Sequence, residues 1–112
     1  MGIIKYKQAK PQHPGENIER HIIHLDNLMT AIIDFSNGPM REPDPPHHHP
    51  HEQITYVAKG ELYFFIDKER YHLEEGDAIS IPSDIPHTIQ TISKEVRLID
   101  SFSPVREDFI TS

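Results

Sequence analysis

The 112-residue chain contains no cysteine. Disulfides and thiolate chemistry are therefore excluded, and a reducing cytoplasm is the expected compartment. No apolar run approaches the length needed to span a bilayer. The N-terminal stretch Met1-Gly2-Ile3-Ile4-Lys5-Tyr6 has no signal-peptide form, and Tyr6 is the wrong side chain for a myristoylation signal. No amphipathic helical segment of useful length is present, and no internal repeat. Positive charge is scarce as well. Eleven Lys and Arg against 18 Asp and Glu give a formal net charge of −7, which argues against nucleic acid and anionic membranes as partners. No Ser/His/Asp pattern suggests a nucleophilic hydrolase.

Histidine is what the chain has. Four of its nine histidines fall in five positions, His47, His48, His49 and His51. They follow a proline-rich lead, Pro43, Pro45 and Pro46, and precede a strand-like run from Gln53 to Lys59. Neutral imidazole is the commonest protein ligand for a transition metal. In extended chain, residues two apart point to the same side. His47 and His49 can then face one point in space, and Gln53 can reach it from the same face. The plainer reading is a histidine-rich solvated loop, or an adventitious metal-binding tract.

Short runs of apolar residues separated by turn signals predict an all-β sandwich or barrel, built as one domain over residues 1–112. Expected strands are 2–8, 18–25, 28–35, 53–59, 61–67, 69–73, 77–81, 88–93 and 95–103. Asp26-Asn27 marks a tight turn, and 9–17 and 36–46 read as loops. Period-two alternation puts Gln53, Thr55 and Val57 on one face and Ile54, Tyr56 and Ala58 on the other. Leu62, Phe64 and Ile66 oppose Tyr63 and Phe65 in the same way. Strands apolar on both faces need a second cover. A homodimer burying Tyr56 or Tyr63 between subunits is expected, and an intramolecular sandwich is the alternative. In the last strand Val96, Leu98, Asp100 and Phe102 share a face, which would place the Asp100 carboxylate in an apolar interior. Burial there costs several kcal/mol unless the group is paired or its pKa shifts. Arg106, just past Pro104, is a candidate partner.

Two spacings carry a family resemblance. The first is His47-x-His49-x3-Gln53-x6-Gly60 and the second is Gly76-x5-Pro82-x-Asp84-x2-His87-x3-Thr91. In this order and at this separation they resemble the two motifs of the cupin superfamily, which implies a double-stranded β-helix, or jelly-roll barrel. Gln53 stands where the family pattern has glutamate, Asp84 where it has glycine and Thr91 where it has asparagine, and Gly38 lies further from the histidines than the pattern places its first glycine. The resemblance implies one divalent transition metal (nickel, zinc, manganese, iron or cobalt) held by His47, His49, Gln53 and His87. His51 and Glu52 are the rival ligands, and His48 should point away. Three imidazoles and an amide oxygen leave the metal's charge uncompensated, which suits an anionic ligand.

The tail Asp100-x-Phe102-x3-Arg106 narrows the likeness to the small KdgF-type pectin-degradation cupins. That resemblance implies conversion of 4,5-unsaturated monouronates, derived from pectin or alginate, into linear keto sugars. Asp100 would be the general acid/base, Phe102 and Arg106 would bind the substrate, and Arg106 would also serve the chemistry by clamping a carboxylate. A small carboxylated sugar is the expected partner. A simple Asp100–Arg106 bridge closing the barrel end is the alternative for that pair. Other readings of the whole are a non-catalytic sugar-binding cupin, or a different metal-dependent cupin enzyme such as a dioxygenase or sugar isomerase.

Overall fold

Alternation with a period of two governs most of the chain in the structure, a computed structural model that describes residues 1–110. The strands are β1 (Gln12–Gly15), β2 (Ile18–His24), β3 (Met29–Phe35), β4 (Glu52–Lys59), β5 (Glu61–Ile66), β6 (Glu69–Glu74), β7 (Ala78–Ile81), β8 (His87–Thr91) and β9 (Val96–Ser103), and a single helical turn, α1 (Glu107–Ile110), follows. The fold is an all-β jelly roll. One sheet has the order β1-β2-β3-β9-β4-β7 and the other β6-β5-β8, with every paired neighbour antiparallel.

β9 is the clearest case of sequence dictating structure. Val96, Leu98, Asp100 and Phe102 are buried while the residues between them are not. Its neighbours match that alternation: Leu98 pairs with Ile33 and Val57, and Asp100 with Ala31 and Thr55. Inward side chains of the two sheets then meet. Val57, Ile81, Val96 and Leu98 of the larger sheet pack with Leu62 and Phe64 of the smaller one. Met29, Ala31, Phe102, Val105 and Phe109 form a second apolar cluster. Burying each large side chain contributes about 1.5–3 kcal/mol. Along β9 the first cluster takes Val96 and Leu98 and the second takes Phe102, so Asp100 lies between the two.

Turns are set by residues that tolerate a positive φ. Gly60 has φ of 84°, and a Cβ there would clash with the backbone carbonyl of Glu95. Asp84, in the place of a family glycine, has φ of 60°. Aspartate is one of the few L-residues that enters this region at modest cost.

Two expectations are corrected. Residues 2–8 form no strand. Gln8 and Ala9 both donate to the Lys5 carbonyl, closing a turn. Tyr6 lies on the outside of the large sheet, where it donates to Asp34 Oδ2 at 2.9 Å and its ring meets His21 at 4.9 Å. The first strand, β1, instead forms inside the stretch expected to be a loop, because Gln12 and Gly15 pair with Arg20 and Ile18. Among the described residues no helix is long and apolar enough to cross a membrane.

Candidate metal centre and its cavity

Both sheets contribute to the site. His87 opens β8 in the small sheet, Gln53 lies in β4 of the large one, and His47 and His49 sit on the segment entering β4. An isolated bridge fixes His47 beside His87: His47 N donates to His87 O at 3.0 Å and His87 N to His47 O at 2.9 Å. The positive-φ turn at Asp84 anchors the next residues, since Asp84 N donates to His49 O at 2.8 Å. Backbone bonds therefore position two of the histidine-bearing segments from outside the side-chain cluster.

One potential ligand nitrogen from each of His47, His49 and His87 lies within 4.8 Å of the others. His49 and His87 are buried, and His47 is open at one side. His49 Nδ1 donates to the His51 carbonyl at 3.0 Å and His87 Nδ1 to the Ile85 carbonyl at 2.8 Å. Such bonds fix the tautomer and leave Nε2 with a lone pair facing inward. Loss of surrounding water disfavours the charged form of all three rings. It pushes His47 down to about 4, with the positive potential of His87, Arg106 and its neighbouring histidines adding to the shift. Desolvation is also the leading cause of the lowering at His49 and His87.

These residues fit a cation. His87 Nε2 is buried without a hydrogen-bond partner, and His49 Nε2 lies 3.1 Å from Gln53 Oε1. With the His49 proton on Nδ1, that approach sets two lone-pair acceptors against each other. A metal ion held by both would turn that repulsion into coordination. Three imidazole nitrogens and one amide oxygen suit a divalent transition metal. His48 points away toward Asp84, 3.9 Å off at the surface, and neither His51 nor Glu52 joins the cluster.

A cavity of about 210 Å³ adjoins the cluster, and His47, Gln53, His87, Asp100, Phe102 and Arg106 all line it. Asp100 is buried and accepts from Thr55 Oγ1 at 2.7 Å. Desolvation raises its pKa to about 6, against the opposing pull of the Thr55 bond and the more distant Arg106 charge. The alternative of a simple Asp100–Arg106 bridge is not what forms. Arg106 pairs with Asp108 instead, at 2.8 Å between Nη2 and Oδ2, because the turn into α1 brings that carboxylate back to its own neighbour. The Arg106 guanidinium stays at the cavity, 4.3 Å from the Phe109 ring centre and 5.5 Å from that of Phe102.

Sequence reasoning missed Arg20 and Phe109, which also line this cavity. Arg20 is 7% exposed. Its guanidinium stacks 3.7 Å from the Phe109 ring centre, and its Nε donates to Gln12 Oε1 at 2.7 Å. Gln12 Nε2 in turn donates to the Phe109 carbonyl at 2.8 Å, so β1 and α1 together close this end of the barrel. The available signal was the alternation Ile18, Arg20, Ile22, which sets a cation in an inward register.

A jelly roll of two antiparallel sheets, with a histidine triad at its interior where the entry to β4 meets β8, defines a cupin. The model of the Cupin domain matches residues 38–102, and the chain belongs to the cupin family. It is 37% identical over 98 residues to the pectin degradation protein KdgF of Dickeya dadantii (strain 3937), covering 86% of each chain. Among solved structures, KdgF from Halomonas sp. superposes with a TM-score of 0.87 at 29% identity, over 97% of this chain and 98% of that one. An RmlC-like cupin from Shewanella frigidimarina NCIMB 400 gives 0.86 at 29% identity, over 97% and 96%.

Proposed function

We propose that this protein is a metal-dependent enzyme of pectin or alginate breakdown that converts 4,5-unsaturated monouronates into linear keto sugars. The observation that carries the reading is the position of Asp100, a buried carboxylate with a pKa of about 6 on the same cavity as the candidate ligands His47, Gln53 and His87. The likeness to the pectin degradation protein KdgF along 86% of both chains supports it. A divalent metal held by His47, His49, Gln53 and His87 would supply Lewis acidity toward the sugar's oxygens.

The remaining work falls to the chain's own side chains. Ring opening breaks the bond between the ring oxygen and the anomeric carbon while the anomeric hydroxyl becomes a carbonyl, its proton passing to the former ring oxygen; tautomerisation then moves a proton from that enol hydroxyl to C4, leaving a ketone at C5. No atom enters or leaves, so one group that takes a proton and returns it is sufficient. A carboxyl group titrating near 6 does both at neutral pH. Arg106 offers its guanidinium to the sugar carboxylate, and the Phe102 ring lies against the sugar and excludes water beside Asp100. The cavity of about 210 Å³, with Arg20 and Phe109 in its wall, is of a size for a single sugar unit.

Incubation of the metal-loaded protein with a pectin or alginate lyase digest tests this. Absorbance of the unsaturated sugar should fall with time. Asp100→Asn should slow that fall by about 10²–10⁴-fold when assayed at saturating metal. Wild-type protein that leaves every unsaturated monouronate untouched would sink the reading.

A further inference from the structure

Gln53 differs from the family glutamate in a way that creates a problem of orientation. A carboxylate presents oxygen whichever way its end group turns. A carboxamide presents either an oxygen lone pair or an NH₂ of nearly the same shape, and only the first can ligate a cation. Gln53 is 7% exposed, so water cannot sort its two ends. A neighbouring residue must.

Three bonds settle the polarity. Thr55 Oγ1 donates to Asp100 Oδ1 at 2.7 Å. Gln53 Nε2 donates to Thr55 Oγ1 at 2.9 Å. Gln53 Oε1 is left facing His49 Nε2 at 3.1 Å. An ionised carboxylate can only accept, so the single hydroxyl proton of Thr55 goes to Asp100. The Thr55 oxygen is then available only as an acceptor. It must receive an N–H from Gln53, which turns the carbonyl end toward the histidines. Thr55 itself is 0% exposed, so no solvent competes for its hydroxyl.

We propose that Thr55 is a positioning residue of the metal centre: its hydroxyl, polarised by Asp100, holds the Gln53 carboxamide with the oxygen toward His47, His49 and His87. The inference rests on the metal-centre reading above. It also explains how glutamine serves in a glutamate's place. The direction that a carboxylate does not need is supplied from two residues further along β4. The same three bonds join the ligand Gln53 to the proposed acid/base Asp100 through a single side chain.

Zinc(II) affinity of the purified protein, measured by competition with a chromophoric chelator, tests the inference without reference to turnover. Thr55→Val keeps the shape and β-branching and removes the hydroxyl. It should weaken zinc about 10–100-fold, the usual effect of losing an outer partner of a ligand, while circular dichroism is unchanged. Thr55→Ser restores the hydroxyl and should restore wild-type affinity. In a Gln53→Glu background the same Thr55→Val change should cost less than about 3-fold, because a carboxylate needs no director. That difference is a coupling energy between positions 53 and 55. Equal zinc affinity of wild type and Thr55→Val overturns the proposal, as does an equal loss in both backgrounds.

Should Thr55→Val fail to fold, the wild type gives the answer by NMR. The Gln53 amide protons should show contacts to the Thr55 methyl group and none to the His49 ring, and the reverse pattern overturns the proposal. Wild-type protein that takes up no zinc, nickel, manganese, iron or cobalt would remove the metal centre itself. That result is distinct from a wild type that binds metal and a Thr55→Val variant that binds it equally well.

Discussion

A carboxyl group lodged between two apolar clusters makes stability depend on pH in an unusual direction. Burial raises the Asp100 pKa from 3.8 to about 6, so the native state holds its proton more tightly than the unfolded chain does. The protonated group's contribution to stability is fully present below about pH 4 and is lost as pH rises through 6. Two units correspond to on the order of 3 kcal/mol. In metal-free protein, Asp100→Asn should therefore gain on the wild type by about 1–3 kcal/mol in urea unfolding at pH 7.5, and the gain should vanish near pH 4. A gain that is constant across that range would mean that Asp100 is not desolvated in solution. The inward position of Asp100 was legible from alternation in β9, and the places of His47, His49, Gln53 and His87 through the resemblance of their spacing to the cupin motifs. The partner of Arg106 was not. Spacing along a strand says nothing of a chain that turns back within two residues, where Asp108 competes at short range. Arg20 escaped for a related reason, because a lone arginine in a strand is usually a surface residue, and only the packing of Phe109 on it makes it interior.

Individual elements owe their boundaries to a few backbone positions. Gly60 and Gly76 both have positive φ, at 84° and 93°. A Cβ on Gly60 would run into the Glu95 carbonyl and the Val96 side chain, while one on Gly76 would meet open space. Gly60→Ala should accordingly cost about 2–4 kcal/mol, from strain and collision together, and Gly76→Ala about 1 kcal/mol, from strain alone. Equal effects in thermal unfolding would show that the β4–β5 turn relaxes around the new methyl group. Strands with strict alternation, such as β4 and β9, were readable to within a residue or so. The first strand was misplaced, because Ile3, Ile4 and Tyr6 look strand-like but meet no paired edge. Ile3 remains 71% exposed, and Tyr6 docks through its hydroxyl and ring rather than through its backbone. β1 is held by the edge of β2 and carries little apolar signal of its own, since its residues are Gln12, His13, Pro14 and Gly15.

For the molecule as a whole, the outer face of the large sheet has the composition of a covered surface. Leu28, Ile54 and Tyr56 are 53%, 57% and 44% exposed. We propose that a second copy of the chain covers this face. Light scattering at micromolar concentration should give a dimer mass, and Ile54→Asp should give a monomer with its metal content intact. A sharp monomer mass for the wild type would reject the dimer. The alternation that exposes these residues could be read from sequence, but what covers them could not. The order of the large sheet has a consequence in time. β9 lies between β3 and β4, so the last strand made is the one that joins the earlier ones. During synthesis the small sheet β6-β5-β8 is complete once Thr91 has been made, while the large sheet is still in two parts, β1-β2-β3 and β4-β7. A chain that stops short of Val96 carries His47, His49 and His87 but lacks Asp100, Phe102 and Arg106, which complete the cavity wall. Completion of the cavity therefore waits for translation to reach Ser103, and any pause before Val96 leaves the facing edges of β3 and β4 unpaired.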